Sequence, residues 1–285
     1  MILDFITWDA SPVIFSIGPL ALRWYGLAFA IGFIIGYNIV AKMFKHEGAP
    51  EKWLGILLTY VVVATIIGSR LGHVFFYQWD YYSQHPGEIF KIWEGGLASH
   101  GGVIGNFIAV WLFSIFVTKK SVSWTVDRLV VPVAMVAGLI RLGNLMNSEI
   151  YGGVTDLPWG FIFVRDGQTL PMHPTQIYEA LCYFALFGVL MWMYWKKNAQ
   201  ERPWLISGVF FIGVFVSRFL IEYVKNVQVG KEIEMIATYG INMGQLLSIP
   251  FIIMGVVMVV YAMTHPRLKL DFPNKFAEEL ANNKR

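Results

Sequence analysis

This sequence predicts an all-α polytopic membrane protein of seven transmembrane helices, with its N-terminus outside and its C-terminus cytoplasmic. Three observations lead there. The 285 residues are 56% hydrophobic and only 14% charged, with a mean hydropathy of +0.55, whereas soluble domains carry about 25% charged residues. Seven apolar runs approach the ~20 residues that a helix needs to cross a bilayer. Lysines and arginines collect in alternate connections, as positive-inside topology requires.

The spans are read as Leu20–Val40, Leu54–Phe76, Val103–Val117, Leu129–Leu145, Ile177–Trp195, Leu205–Tyr223 and Gly244–Met263. The third and fourth are short, and buried backbone is expected to complete them. Eleven Trp and thirteen Tyr suit an interfacial belt. Residues 1–285 read as one integral membrane domain, with a short cytoplasmic tail over 265–285 and a surface helix expected at Phe272–Leu280. Asp4 and Asp9 stand where a cleavable signal would need a basic region, so no signal peptide is expected.

Charge sets the orientation. One set of connections holds Lys42, Lys45 and Lys52, then Lys119, Lys120 and Arg128, then Lys196, Lys197 and Arg202, and the tail adds five more cations. The opposite side has Lys91, Arg165, Lys225 and Lys231. The crowded side is therefore cytoplasmic. Spans two, four and six then run outward, which puts Arg70, Arg141 and Arg218 in their last turns. Tyr25, Glu179 and Gln245 fall in the first turns of spans that run inward. Each intramembrane arginine costs roughly 2.5–3.5 kcal/mol, so the three are expected to line a polar cavity on the extracytoplasmic side.

Other chemistries are excluded or unsupported. Cys182 is the only cysteine, which rules out an intrachain disulfide and a cysteine-built metal site. No His, Asp or Glu spacing resembles a metal ligand set, and no nucleotide loop is present. A net charge of +3 does not argue for nucleic acid. No cofactor or metal is expected.

The stretch Arg141 to Gly152 is the richest in chemistry. It holds a cation, two amides and a carboxylate within nine residues. Arg141 and Asn144 share a helical face, and a guanidinium can hold two phosphate oxygens at once. The other reading is a structural pair between Arg141 and Glu149. The segment Gly95–Gly105 reads as a loop with five glycines around His100; it can form an anion nest with a proton acceptor, or a re-entrant turn in which His100 bonds a carbonyl. Arg218 and Glu222, four apart, can pair directly. Arg70 has His73 nearby but no local carboxylate. His173-Pro174 opens the fifth span, with Glu179 one turn inside. Two function classes follow: an enzyme acting on a phospholipid head group, or a transporter or lipid flippase with an outer-leaflet anion site. Charges gathered on one side, rather than at the midplane of repeated broken helices, favour the enzyme.

At these residues the chain resembles the phosphatidylglycerol–prolipoprotein diacylglyceryl transferases of bacterial inner membranes. The family signature Gly-Arg-x-Gly-Asn-Phe-x-Asn-x-Glu-x-x-Gly reads here as Ile140 to Gly152, with Ile140 for the leading glycine and Leu145 for the phenylalanine. Every polar position matches. The glycine-flanked His100, Trp24-Tyr25-Gly26, His173-Pro174-Thr175-Gln176 with Tyr178-Glu179, and Arg218-Phe219-Leu220-Ile221-Glu222 match as well. The resemblance implies transfer of diacylglycerol from phosphatidylglycerol to the lipobox cysteine of a prolipoprotein signal peptide, at the outer leaflet of the inner membrane, with release of glycerol-1-phosphate. Under it, Arg141 and Arg218 take the phosphate, Asn144 and Glu149 orient head group and cation, and His100 is the base. Glu222 holds Arg218, Tyr25 lines the cavity, and Gly152 serves backbone geometry; Arg70, expected in the same cavity from its depth, would then help to bind the lipid.

Overall fold

The computed structural model describes residues 5–18, 20–92, 95–225 and 240–268. Seven helices within them are long and apolar enough to cross a membrane. They are α1 (Trp24–Glu47), α2 (Lys52–Tyr77), α3 (Ser99–Phe113, continued by a π-helical turn over Ser114–Thr118), α4 (Val122–Met146), α5 (Thr175–Lys197), α6 (Leu205–Ile221) and α7 (Met243–Thr264). Four short strands accompany them: β1 (Ile6–Trp8), β2 (Val13–Ile17), β3 (Leu20–Arg23) and β4 (Phe161–Phe163). The expected surface helix at 272–280 lies outside the described residues.

Three expectations are corrected. The first helix begins at Trp24, because Leu20–Arg23 pairs as an antiparallel strand with Val13–Ile17. The third span starts early: Gly101, Gly102 and Gly105 are helical and only Gly95–Ala98 is loop. The fourth runs 25 residues, passing through Pro132 without ending.

The chain forms two compact units, Val40–Val126 in one, and the segments up to Ile39 and from Asp127 onward in the other. In the Val40–Val126 unit, α2 and α3 meet through glycines. A Cβ on Gly101 would sit 2.1 Å from Gly68 O and 2.6 Å from Gly72 Cα, and one on Gly105 would sit 3.1 Å from Gly68 Cα. Both helices carry the small-x-x-x-small spacing that lets backbones approach closely in lipid. At the other end of this unit Trp124 donates from Nε1 to Glu47 at 2.8 Å and packs on Phe44, with ring centroids 5.0 Å apart.

In the second unit α6 packs on α7 at Gly208 and Gly255, where an added Cβ on Gly208 would lie 2.8 Å from Gly255 O. Phe215 and Phe251 stack beside them at 4.3 Å. Asp127, fully buried on α4, caps α6 from outside its own chain segment. It accepts from Trp204 N at 2.9 Å, Ser207 N at 2.8 Å and Ser207 Oγ. These contacts satisfy N–H groups that a helix start leaves without intrahelical partners. β1 pairs in parallel with β4, placing Ile6 beside Phe161 and Trp8 beside Phe163. Leu145, Phe161, Phe163 and Met172 form a small core there, covered by Trp8, Tyr151 and Ile177. Trp8 Nε1 donates to Leu145 O at 2.9 Å, fixing the end of α4.

Candidate active site

The end of α4 positions the signature. Its last carbonyls are taken by Asn147 N on Gly143 O, Ser148 N on Leu145 O and Glu149 N on Asn144 O, at 3.0–3.1 Å. The chain then turns through two left-handed residues, Ser148 (φ 54) and Ile150 (φ 61). A β-branched residue is rarely found there, and such a conformation costs on the order of 1–3 kcal/mol unless its surroundings enforce it. Here they do. Gln176 Nε2 donates to Glu149 O at 2.7 Å and Thr175 Oγ1 donates to Ile150 O at 2.9 Å, so the start of α5 holds the carbonyls of the strained turn.

Gly152 follows at a three-way junction. Its N–H donates to His173 O, and Gly153 N–H donates to Val224 O, both at 2.8 Å. A Cβ on Gly152 would lie 2.3 Å from Val224 O and 2.8 Å from Thr175 Cγ2. Nothing larger than glycine fits without moving backbone. Beside this junction burial pushes the His173 imidazole below its usual range, against a smaller opposing pull from Asp156. Tyr178 accepts from Trp159 Nε1 at 2.9 Å and meets His173 Nδ1 at 3.2 Å. Tyr151, bonded to Asp166 and Gln168, is pushed up to about 12, first by burial and then by the Asp166 carboxylate.

The polar side chains connect in series. Arg141 Nη1 donates to Asn144 Oδ1 at 3.3 Å, Asn144 Nδ2 donates to Glu149 Oε1 at 2.8 Å, and Asn147 Nδ2 reaches the same oxygen at 3.0 Å. Arg141 and Glu149 are thus linked through the Asn144 amide, an arginine–amide–carboxylate relay rather than a direct pair. Arg141 Nε lies 2.6 Å from Glu179 Oε2, and the other oxygen of Glu179 lies 2.9 Å from Lys225 Nζ. Glu179 is fully buried, with 0% side-chain exposure. These contacts are close but off the hydrogen-bond axes, so the carboxylate is held by the charge of its two cations. Arg141 also shares a side-chain hydrogen bond with the buried Tyr183 hydroxyl.

Glu222 was expected to pair with Arg218. Instead its Oε2 lies 3.5 Å from Lys225 Nζ, and the side chain packs against Gly244, where a Cβ would meet Glu222 Oε1 at 2.4 Å. The reason is local. α6 ends at Ile221 and Glu222 opens a tighter 3₁₀ turn, which turns its side chain off the face that carries Arg218. Asn242 Nδ2 donates to Glu222 O at 3.1 Å, and Gln245 forms a capping box with Asn242 at the start of α7. Among the described residues the half-buried Arg218 Nε has no hydrogen-bond partner. Arg218, Arg141 and Glu179 all lie within electrostatic reach of the buried Tyr183 hydroxyl. Tyr25, in the first turn of α1, rests against Gly143, where a Cβ would sit 2.9 Å from Tyr25 Cδ2. Sequence reasoning named no role for Lys225, Gln176 or Asn242, and did not anticipate that Glu179 bridges two cations.

The Val40–Val126 unit carries the other two candidates. His100 is exposed in the first turn of α3 and lines a cleft of about 520 Å³ with His73, Tyr77, Gln78, Leu97 and Ala98. Arg70 is 4% exposed. It donates to four backbone carbonyls, Glu88, Ile89, Gly95 and Gly96, at 2.7–3.2 Å, and lies over the Tyr82 ring at 4.9 Å. Gly96 (φ +71) makes room for it, since a Cβ there would fall 2.7 Å from Arg70 Nη1.

Seven helices long and apolar enough to cross a membrane, with arginines and carboxylates withdrawn from solvent among them, define an integral membrane protein. The family model for prolipoprotein diacylglyceryl transferase matches residues 12–261. The chain belongs to this family and is a membrane transferase. It is 53% identical over 272 residues to the phosphatidylglycerol–prolipoprotein diacylglyceryl transferase of Porphyromonas gingivalis, covering 92% of this chain and 96% of that one. The enzymes of the same name from Chloroherpeton thalassium and Tolumonas auensis are each 45% identical, over 93% and 89% of this chain and 97% and 96% of theirs.

Proposed function

We propose that this chain transfers the diacylglyceryl group of phosphatidylglycerol to the lipobox cysteine thiol of prolipoproteins, at the outer leaflet of a bacterial inner membrane. The observation that carries this reading is the intact Arg141–Asn144–Glu149 relay, in a chain whose relatives bear that activity in their names.

The sulfur attacks the glyceryl carbon that bears the phosphate. A C–S bond forms, the C–O bond breaks, and its electron pair goes to the phosphate oxygen. The head group leaves as glycerol-1-phosphate. A thiol with a pKa near 8.5 is only a few per cent thiolate at neutral pH, so its proton needs an acceptor, and we assign that role to His100. Arg141, held in place by Asn144, Glu179 and Tyr183, presents its charge to phosphate oxygens, and Arg218, with Nε unpartnered among the described residues, supplies a second cation where charge develops. Glu149, held by two amide donors, keeps acceptor capacity for the hydroxyls of the head-group glycerol. Tyr25 and Gly152 shape the site through packing, Glu222 acts through the charge it places beside Lys225, and Arg70 acts by holding the carbonyls of the segment that precedes α3. The lysine and arginine distribution supports a cytoplasmic C-terminus.

The test uses purified full-length protein, phosphatidylglycerol and a lipobox peptide, following glycerol phosphate release. Release should require both the peptide cysteine and Arg141, and should vanish with a Cys→Ser peptide or in Arg141→Ala. Release that ignores the peptide cysteine would sink the assignment.

A further inference from the structure

We propose that Lys225 is a third cation of the phosphate site, parked on Glu179 until the leaving group forms. The inference rests on the transferase reading above and adds a residue to it. Lys225 directly follows the 3₁₀ turn Glu222–Val224, and its backbone forms an antiparallel bridge with Gly152. That bridge ties it to the end of the signature stretch. Its side chain is 12% exposed, so the ammonium is mostly withdrawn from water. It lies 2.9 Å from Glu179 and 3.5 Å from Glu222. The longer distance is a Coulombic contact rather than a formed hydrogen bond, which leaves the ammonium loosely held on that side.

Charge accounting gives the lysine its use. Arg141, Arg218 and Lys225 carry three positive charges, and Glu149, Glu179 and Glu222 offset them with three negative ones. A phosphodiester substrate adds one negative charge. When the C–O bond breaks, the electron pair adds another to the phosphate, and the thiol proton has gone to a base elsewhere. The site must therefore meet a charge absent from the bound substrate, and stabilisation confined to the transition state and product raises kcat. A lysine suits this task. Its ammonium is a compact charge on a flexible stem with three rotatable donors, whereas an arginine fork is fixed in plane. Glu179 acts as a positioning residue. It holds Arg141 and Lys225 a carboxylate's width apart and gives up part of its hold on the lysine as the dianion appears.

The experiment compares product inhibition with substrate use. Full-length protein in detergent is assayed for thioether formation from phosphatidylglycerol and a lipobox peptide, with added glycerol-1-phosphate as inhibitor. Lys225→Met should lower kcat by ~10²-fold, the scale of losing one transition-state donor, while moving the KM for phosphatidylglycerol by less than about threefold. Its inhibition constant for glycerol-1-phosphate should rise by roughly tenfold or more. Lys225→Arg should recover most of the inhibitor affinity. If Lys225→Met does not fold, Lys225→Gln keeps a polar end for Glu179 without the positive charge and should show the same weakened inhibition. Unchanged inhibition in a folded variant, or equal losses in kcat and KM, overturns the proposal and makes Lys225 a strut. A wild-type protein that forms no thioether overturns the transferase reading instead.

Discussion

Glu179 Oε2 lies 2.6 Å from Arg141 Nε, joining the first turn of α5 to the last turn of α4 through a carboxylate with no access to solvent. The pair helps to fix the orientation of the guanidinium. Arg141→Lys keeps the charge but loses the fork. Activity should fall by ~10²-fold or more, with the thermal midpoint in detergent close to wild type. A lysine variant of wild-type activity would show that bidentate recognition plays no part.

Glu179→Ala leaves Arg141 and Lys225 without their shared counter-charge. Breaking a buried pair by removing one partner costs about 3–5 kcal/mol. Arg141 retains 21% side-chain exposure, which places the expected loss at the lower end. Denaturant or thermal unfolding of the purified protein reads it. A midpoint equal to wild type would mean that the two cations find other partners.

At Gly152 the expected defect comes from the backbone. Gly152→Ala would put a methyl group 2.3 Å from Val224 O, and forced overpacking typically costs about 1–3 kcal/mol. The junction of the signature stretch, α5 and the end of α6 must shift, so activity should be lost beyond what the stability change explains. Parallel activity and unfolding measurements separate the two, and an active, stable alanine variant would contradict the geometry.

His173 sets a pH dependence. Burial depresses its pKa below the ordinary value of about 6.5. The stability contributed by the neutral ring is present above the unfolded value and lost as pH falls through the folded one. Thermal midpoints of wild type and His173→Gln should therefore converge as pH drops below about 6.5. A gap that widens on acidification would reverse the assigned direction.

Much of this could be read from the chain. The seven spans follow from apolar run length, and the Arg141–Asn144–Glu149 relay follows because its members sit within one helix end and the next turn. What escaped depends on distant backbone. Ile6 pairs with Phe161 across most of the first four helices, and a three-residue strand leaves no periodic signal. Arg70 bonds to carbonyls, which every sequence has. The Arg218–Glu222 spacing suggested an intrahelical pair, but the spacing rule holds only inside a helix, and α6 stops at Ile221. Lys225 lies beyond that end, and only the tertiary fold brings it to Glu179.

The glycine seam between α2 and α3 has a mechanical meaning. Gly68, Gly72, Gly101 and Gly105 bring two backbones into contact with no side chain between them. A joint of that kind has no compressible layer, and sliding by one residue would drive a carbonyl into a Cα. His100 begins one strand of this rivet, and Arg70 grips the carbonyls of the loop that feeds it. The imidazole is thus mounted on a stiff bracket, whose position is set by backbone rather than by side chains that could repack.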